Sequence, residues 1–148
     1  MKDNYAILKK KIDNFNLFYA ECKIQNNINN ILLKEKLFDV LSWMEVCIIN
    51  IPSFNEEESK IISAIKYANN KRKHSITIYT HTLSTFDLLP SKDLLPSKFK
   101  IIWNDLPLES KGFSNQHKNY VKYLMKKNIH ETLNNIFSII SKYYMETL

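Results

Sequence analysis

The chain has 148 residues, the length of one domain, and its 45% hydrophobic and 24% charged residues suit a packed globule rather than a disordered chain. Its single glycine, Gly112, excludes the glycine-rich loops that bind phosphate in nucleotide-binding folds, and it disfavours an all-β chain with many tight turns. Twenty lysines and one arginine, Arg72, contribute to a net charge of +6. Because direct reading of guanine usually depends on arginine, this composition argues against a sequence-specific DNA-binding protein.

Two helices are predicted in the first fifty residues from apolar residues that recur three and four positions apart. The first runs from about Tyr5 to Ile24, with Asp3 or Asn4 as its N-cap. Its apolar face is formed by Leu8, Ile12, Phe15, Tyr19 and Cys22. The second helix, from about Ile28 to Ile49, is apolar on most sides, which predicts a central, buried helix that ends before Pro52.

The two cysteines, Cys22 and Cys47, both fall on apolar helix faces and form no CxxC motif. We therefore expect free thiols in a reducing compartment. The sequence contains no apolar segment long enough for a signal peptide or a membrane span. These features predict a cytoplasmic protein without a membrane partner.

A third helix and a short β-hairpin are predicted in the middle of the chain. Asn55 and Glu58 have the spacing of a capping box, and the helix that they begin ends in the polar segment 69–74. Ser75–Leu83 alternates β-branched residues, which is typical of a strand, and Lys98–Trp103 is the expected partner strand.

Residues 84–113 are predicted to be an irregular insertion, because they hold three of the four prolines and a tandem Leu-Leu-Pro-Ser-Lys repeat. A fourth helix then runs from an N-cap at Ser114 to about Lys127, and a fifth begins at Ile129. The inward residues of the fourth helix are expected to be Tyr120, Val121 and Leu124. The fold class is therefore mainly α, with a single domain, 1–148, that forms a bundle of about five helices. A small β-hairpin and a long proline-containing loop are inserted between the third and fourth helices.

The end of the third helix carries the densest group of candidate functional side chains, Asn69-Asn70-Lys71-Arg72-Lys73-His74. A helical bundle with this polar end resembles the HEPN superfamily of bacterial defence and toxin–antitoxin proteins. The signature of that family is an arginine followed after four to six residues by a histidine, frequently with asparagine directly after the arginine. Asn70 and His74 match the asparagine and histidine positions, whereas Asn69 occupies the position of the arginine.

This resemblance implies a metal-independent endoribonuclease in the active members of the family, with a composite site formed across a dimer. His74 would be the catalytic group that moves protons, and a cation from Lys71, Arg72 or Lys73 would stabilise the phosphorane. Because the arginine of the motif is missing, we expect binding of RNA or of a protein partner rather than strong catalysis. The alternative interpretation of the segment is a helix end whose cations complement the helix dipole.

A second candidate nucleic-acid surface lies on the fourth helix, where three lysines recur every four residues among Tyr120 and Tyr123. Solvated lysines on an amphipathic helix are the alternative interpretation. Together the two segments give the predicted nucleic-acid-binding residues Asn69, Asn70, Lys71, Arg72, Lys73, Lys118, Lys122 and Lys126.

The histidines do not form a metal-ligand pattern. His74 and His81 would point to opposite faces if both lay on one strand, and His117 and His130 have no partner at helical ligand spacing. We therefore expect neither a metal nor another cofactor.

Three functional hypotheses follow. The leading one is a HEPN-like module that binds RNA or a protein partner in bacterial defence or toxin–antitoxin systems. The alternatives are a homodimeric interaction protein without a nucleic-acid role and a metal-independent endoribonuclease toxin. Helices that are apolar on more than one face predict a homodimer. Four leucines of the tandem repeat are candidate contacts for an antitoxin or another protein: Leu88, Leu89, Leu94 and Leu95.

Overall fold

A computed structural model describes residues 2–82, 99–108 and 111–146 of the chain. Within these ranges the structure is mainly helical, as the sequence predicts, with a two-stranded antiparallel hairpin between the third and fourth helices. The α-helices are α1 (Lys2–Gln25), α2 (Asn30–Ile49), α3 (Glu56–Lys73), α4 (Ser114–Tyr123) and α5 (Ile129–Glu146). The strands are β1 (Tyr79–Thr82) and β2 (Lys100–Trp103), and a 3-10 helix (Lys111–Phe113) precedes α4.

The helices bury the apolar faces that their spacing predicts. Helix α1 packs on α2 and α5, and α3 packs on α4. The buried side chains of α1 include Leu8, Ile12 and Phe15, and those of α5 include Leu133, Ile136 and Ile140. Asn55 and Glu58 form the predicted capping box at the start of α3. Both cysteines are buried free thiols, as expected, and burial raises the pKa of each above its ordinary value.

The hairpin is bonded to α5 and to the segment between α4 and α5. Tyr79 of β1 pairs with Trp103 of β2, and the fully buried Trp103 indole donates a hydrogen bond of 2.7 Å from Nε1 to Oγ1 of Thr132 in α5. The backbone of Trp103 also bonds the segment between α4 and α5. Its N–H donates to the carbonyl of Lys127 at 3.1 Å, and its carbonyl accepts from the N–H of Lys126 at 2.9 Å. Strand β2 therefore fixes the backbone of two consecutive lysines.

Three predicted boundaries are wrong. Asp3 and Asn4 lie inside α1, which begins at Lys2, and therefore do not cap it. The first strand begins at Tyr79 rather than Ser75, because Ser75 adopts the left-handed conformation with φ of 62°. Helix α4 ends at Tyr123 rather than Lys127, because the chain turns there to bond β2.

Three further details of the prediction need correction. Ser114 is the first residue of α4 rather than its cap, and the cap position, Phe113, makes no side-chain capping bond. Val121 of α4 is exposed, although Tyr120 and Leu124 are buried as expected. Helix α2 is not buried on most sides, since Val46 and Ile49 are exposed.

Part of the predicted insertion lies outside the described residues. Residues 83–98 contain the whole tandem repeat, including the four leucines proposed as protein contacts: Leu88, Leu89, Leu94 and Leu95. In the ranges that the structure does describe, no helix is both long enough and apolar enough to cross a membrane.

His130 of α5 is enclosed by aromatic rings of α1. Its ring stacks on Tyr19 with centroids 4.2 Å apart and lies 6.4 Å from the ring of Phe15. Burial lowers the pKa of His130, Glu131 opposes this shift, and the charge of Lys23 adds to it. The folded protein therefore favours the neutral imidazole, whereas the unfolded chain takes up a proton at the ordinary pKa near 6.5.

We expect the contribution of His130 to stability to be complete above pH 6.5 and to be lost as the pH falls below that value towards the lowered pKa. The wild type should therefore melt at a lower temperature at pH 5.5 than at pH 7.5. His130→Phe keeps an aromatic ring without the titrating group and should lose most of this difference, whereas the exposed-site control His74→Phe should retain it. An unchanged pH dependence in His130→Phe would contradict the assignment.

Candidate nucleic-acid interface

The polar segment predicted as a functional site forms the last turn of α3. Lys71, Arg72 and Lys73 occupy that turn, and His74 is its C-cap. The backbone N–H of His74 donates to the carbonyls of Asn70 and Lys71. The three cations thus lie where the unpaired carbonyls of the helix end favour positive charge. His74 and His81 do not lie on the same strand, so the argument that a strand would point their rings to opposite faces does not apply.

Three side chains of this segment, Asn69, Arg72 and Lys73, bind residues of α2. The amide of Asn69 donates to Glu45 Oε2 at 3.0 Å, and Lys73 Nζ lies 2.7 Å from Oε1 of the same carboxylate. Arg72 donates from Nε to Asn69 Oδ1 at 2.7 Å and from a terminal nitrogen to Ser42 Oγ at 3.4 Å. This network holds the end of α3 against the middle of α2.

Two of the predicted RNA-binding residues are buried. Asn69 is 4% exposed and Lys71 is 5% exposed, and the Lys71 ammonium lies 5.2 Å from the centroid of the Tyr67 ring. The structure therefore does not bring Asn69 and Lys71 to the surface that contact with RNA requires. Asn69, the residue compared with the arginine of the HEPN signature, is a buried amide bonded to Glu45.

Arg72 is the cation of this turn that lines a pocket, and it is half-buried. Its guanidinium lies 4.9 Å from the centroid of the Phe38 ring, and the Lys34 ammonium lies 5.6 Å from the same centroid. Burial lowers the pKa of Arg72, and the charge of Glu45 opposes this shift. The pocket has a volume of about 210 Å³ and is lined by Lys34, Phe38, Arg72, Ser75, Ile76, Thr77, Ile78 and Tyr79.

His74 is exposed, and within the described ranges its ring makes no hydrogen bond. We expect His74→Ala to change the free energy of unfolding by no more than about 0.5 kcal/mol, because the capping bonds come from the backbone. RNA affinity should also stay unchanged. Melting curves, an RNA titration and a gel assay of RNA cleavage check this. Cleavage by the wild type that the variant lacks, or a fall of several degrees in Tm, would contradict it.

The second predicted surface is exposed and is larger than the sequence indicated. Lys118 and Lys122 lie exposed on α4, as predicted. Lys126 does not continue the helical row, because it lies beyond the end of α4 with φ of 62°. It is nevertheless exposed, and so is Lys127, which the spacing rule did not include. We call these four residues the lysine row: Lys118, Lys122, Lys126 and Lys127.

No acidic residue of the surrounding segment accompanies the lysine row. The twenty residues 111–130 contain five lysines and no aspartate or glutamate, a signal in the sequence from which Lys127 could have been found. Among the described residues, none of the four lysines forms an ion pair; the ammonium of Lys122 lies 5.1 Å from the centroid of the Tyr123 ring. Such a surface attracts polyanions.

A pocket of about 250 Å³ opens beside the lysine row, between α3, the end of α4 and α5. Its apolar walls are Ile61, Leu124 and Ile136, and the ring of Tyr123 forms one side. The polar lining residues are Lys127, Glu131, Thr132 and Asn135. Lys127 therefore belongs both to the lysine row and to the pocket.

The described part of the chain contains no group of three or more histidine, cysteine, aspartate or glutamate side chains that could hold a metal ion. His117 of α4 is in hydrogen-bond contact through Nε2 with the carbonyl of Leu106 at 2.8 Å. His81 lies on β1, and His130 is stacked on α1. The four histidines are thus distributed over four different structural elements.

Among the described residues, the lysine row, the ring of Tyr123 and the adjoining pocket have the clearest chemistry for a ligand. They combine unpaired positive charge, an aromatic ring and polar groups that accept and donate hydrogen bonds. Comparisons with protein-family models, with curated proteins and with solved structures find nothing that matches this chain.

Proposed function

We propose that the protein is a HEPN-like helical module that binds RNA without cleaving it, with the lysine row as its main contact surface. One observation carries the proposal: four exposed lysines without an ion pair in the described structure project from an acid-free segment beside an aromatic ring. Lysine ammonium groups bind phosphates as point charges and release the counterions condensed on the nucleic acid. Such contacts give affinity without sequence specificity.

The end of α3 contributes less to the proposed interface than its sequence suggests. Asn69 and Lys71 are buried, and Lys73 is paired with Glu45. The charge of Arg72 is partly accessible, and its side-chain hydrogen-bond acceptors are the neutral Asn69 and Ser42. We assign it a secondary role, as a phosphate contact for a strand that extends beyond the lysine row.

The absence of strong catalysis in the proposal follows from the chemistry of the motif. Cleavage through the ribose 2′-hydroxyl needs a proton-transfer group together with a fixed cation on the phosphorane. His74 is exposed, but the motif position that carries arginine in the family is the buried Asn69. The neighbouring Lys73 is held by Glu45 at 2.6 Å, which draws its charge away from a bound phosphate.

The proposal is tested by fluorescence anisotropy with a labelled single-stranded RNA across a series of salt concentrations. Each phosphate contact on a single strand contributes about 0.7 to the slope of log affinity against log salt. The four lysines therefore predict a slope of about −2 to −3. Absence of binding at about 50 mM salt, where such contacts are strongest, would refute the proposal and favour a protein partner instead.

A further inference from the structure

We propose that the pocket beside the lysine row holds one unpaired nucleobase, so that the ligand is single-stranded RNA, and that the pocket prefers a base with an exocyclic amino group over uracil. This inference rests on the proposed function and adds a substrate class to it. It is carried by the shape of the pocket, the fixed ring of Tyr123 and the hydrogen-bonding groups of α5.

The size and walls of the pocket suit a single flat ring system. Its volume of about 250 Å³ is below the range of about 300–1,000 Å³ that is typical of pockets for drug-sized ligands. The half-buried side chains of Ile61 and Tyr123 supply its accessible apolar surface, and the buried side chains of Leu124 and Ile136 close it from the inside. An unstacked base can bury its faces there, whereas a base inside a duplex cannot reach the walls.

The aromatic side of the pocket is held in place before any ligand binds. The hydroxyl of Tyr123 donates to Glu57 Oε1 of α3 at 2.8 Å, which links the ring to a second helix. The ammonium of Lys122 lies 5.1 Å from the ring centroid. Packing a base against Tyr123 therefore costs little conformational entropy of the ring. The phosphate of that base lies near a cation of the lysine row.

Hydrogen-bonding groups line the α5 side of the pocket. Glu131 and Asn135 are four residues apart and thus lie on one face of the helix. Within the described residues the Asn135 amide has no hydrogen-bond partner, so it offers both a donor and an acceptor. The hydroxyl of Thr132 is already in hydrogen-bond contact with the Trp103 indole and with backbone carbonyls of the α5 start.

These groups favour particular bases. The ionised carboxylate of Glu131 only accepts hydrogen bonds, and it suits the amino groups of adenine, cytosine and guanine. An amide pairs with a base edge that offers one acceptor beside one donor, and adenine, cytosine and uracil all do so. The amino group of adenine or cytosine has two N–H donors, which can serve the Glu131 carboxylate and the Asn135 amide oxygen together. Uracil has no exocyclic amino group, and its edge offers a single N–H donor between two carbonyl oxygens, which face the carboxylate unfavourably. We therefore expect oligoadenylate to bind more tightly than oligouridylate.

The test compares three labelled probes: oligoadenylate, oligouridylate and an RNA duplex of the same length. We expect the wild type to bind oligoadenylate at least about fivefold more tightly than the other two. Asn135→Leu removes the amide at similar size and should weaken oligoadenylate binding by about 5- to 20-fold, with little effect on the duplex. Asn14→Leu, an exposed asparagine on α1, is the matched control and should bind all probes like the wild type.

A second variant, with a smaller change in the side chain, keeps the test valid if Asn135→Leu does not fold. Glu131→Gln keeps the size of the side chain and should reduce the ratio of oligoadenylate to oligouridylate affinity. Equal wild-type affinity for single strands and duplex, or wild-type oligoadenylate binding by both variants, would overturn the pocket while leaving a salt-dependent lysine row intact. No binding of any probe by the wild type would overturn both the pocket and the proposed function.

Discussion

Replacing Lys122, Lys126 and Lys127 together by alanine should lower the affinity for single-stranded RNA by about 10- to 100-fold at low salt. The three side chains are exposed, and among the described residues they form no ion pair that the substitution would break. The slope of log affinity against log salt should become shallower by about 2, since three phosphate contacts are lost. Anisotropy titrations at several salt concentrations measure both quantities.

A variant of equal charge distinguishes a local interface from general attraction to a basic protein. Lys9, Lys10 and Lys23 are exposed on α1, and their replacement by alanine removes the same three charges. We expect this variant to bind RNA within about twofold of the wild type at moderate salt, where distant exposed charges are screened. Equal losses in both variants would mean that RNA responds to net charge alone. Matching melting temperatures confirm that each protein is folded.

Replacing Trp103 by alanine should have the largest effect on stability, a loss of about 3–5 kcal/mol in the free energy of unfolding. The indole is fully buried, so its removal leaves a cavity, and it also ends the hydrogen bond to Thr132 Oγ1. For a chain of this length the loss corresponds to a fall in Tm of about 10 °C or more. Urea denaturation monitored by circular dichroism measures it.

The other tryptophan gives the matched control. Trp43 of α2 is half-buried, so Trp43→Ala should cost clearly less than Trp103→Ala. Trp103→Phe, which keeps an aromatic ring but has no N–H, should fall between the wild type and the alanine variant. A loss below about 1 kcal/mol in Trp103→Ala would contradict the central position of this side chain against α4 and α5.

Much of the helical architecture could be predicted from local patterns. The apolar positions of α1 and α5 recur with the helical period, and the residues that share this spacing, such as Leu8 and Ile12, are the ones that are buried. The capping box of Asn55 and Glu58 was equally local, because both partners lie within one turn. A signal of this kind depends on neighbours in the chain and needs no knowledge of the fold.

The candidate interface was only partly predictable for the opposite reason. The lysines of α4 were found from their spacing, but the end of that helix depends on backbone bonds from Lys126 and Lys127 to Trp103, more than twenty residues away. Those bonds turn the chain, expose both lysines and place Lys127 at a pocket whose walls come from three elements. Spacing along one helix does not encode such a turn.

The exposure of the residues at the end of α3, which resemble a known motif, was also not predictable from the sequence. Its sequence specified the helix end and the polarity of the turn, since cations and a C-cap residue there are local preferences. Whether those polar groups face solvent was set by packing. Glu45 on α2 accepts hydrogen bonds from the buried amide of Asn69 and from Lys73, whose charge it neutralises. A contact between residues 24 positions apart exists only once α2 and α3 have packed, so burial of Asn69 follows from the tertiary fold and not from its neighbours in the chain.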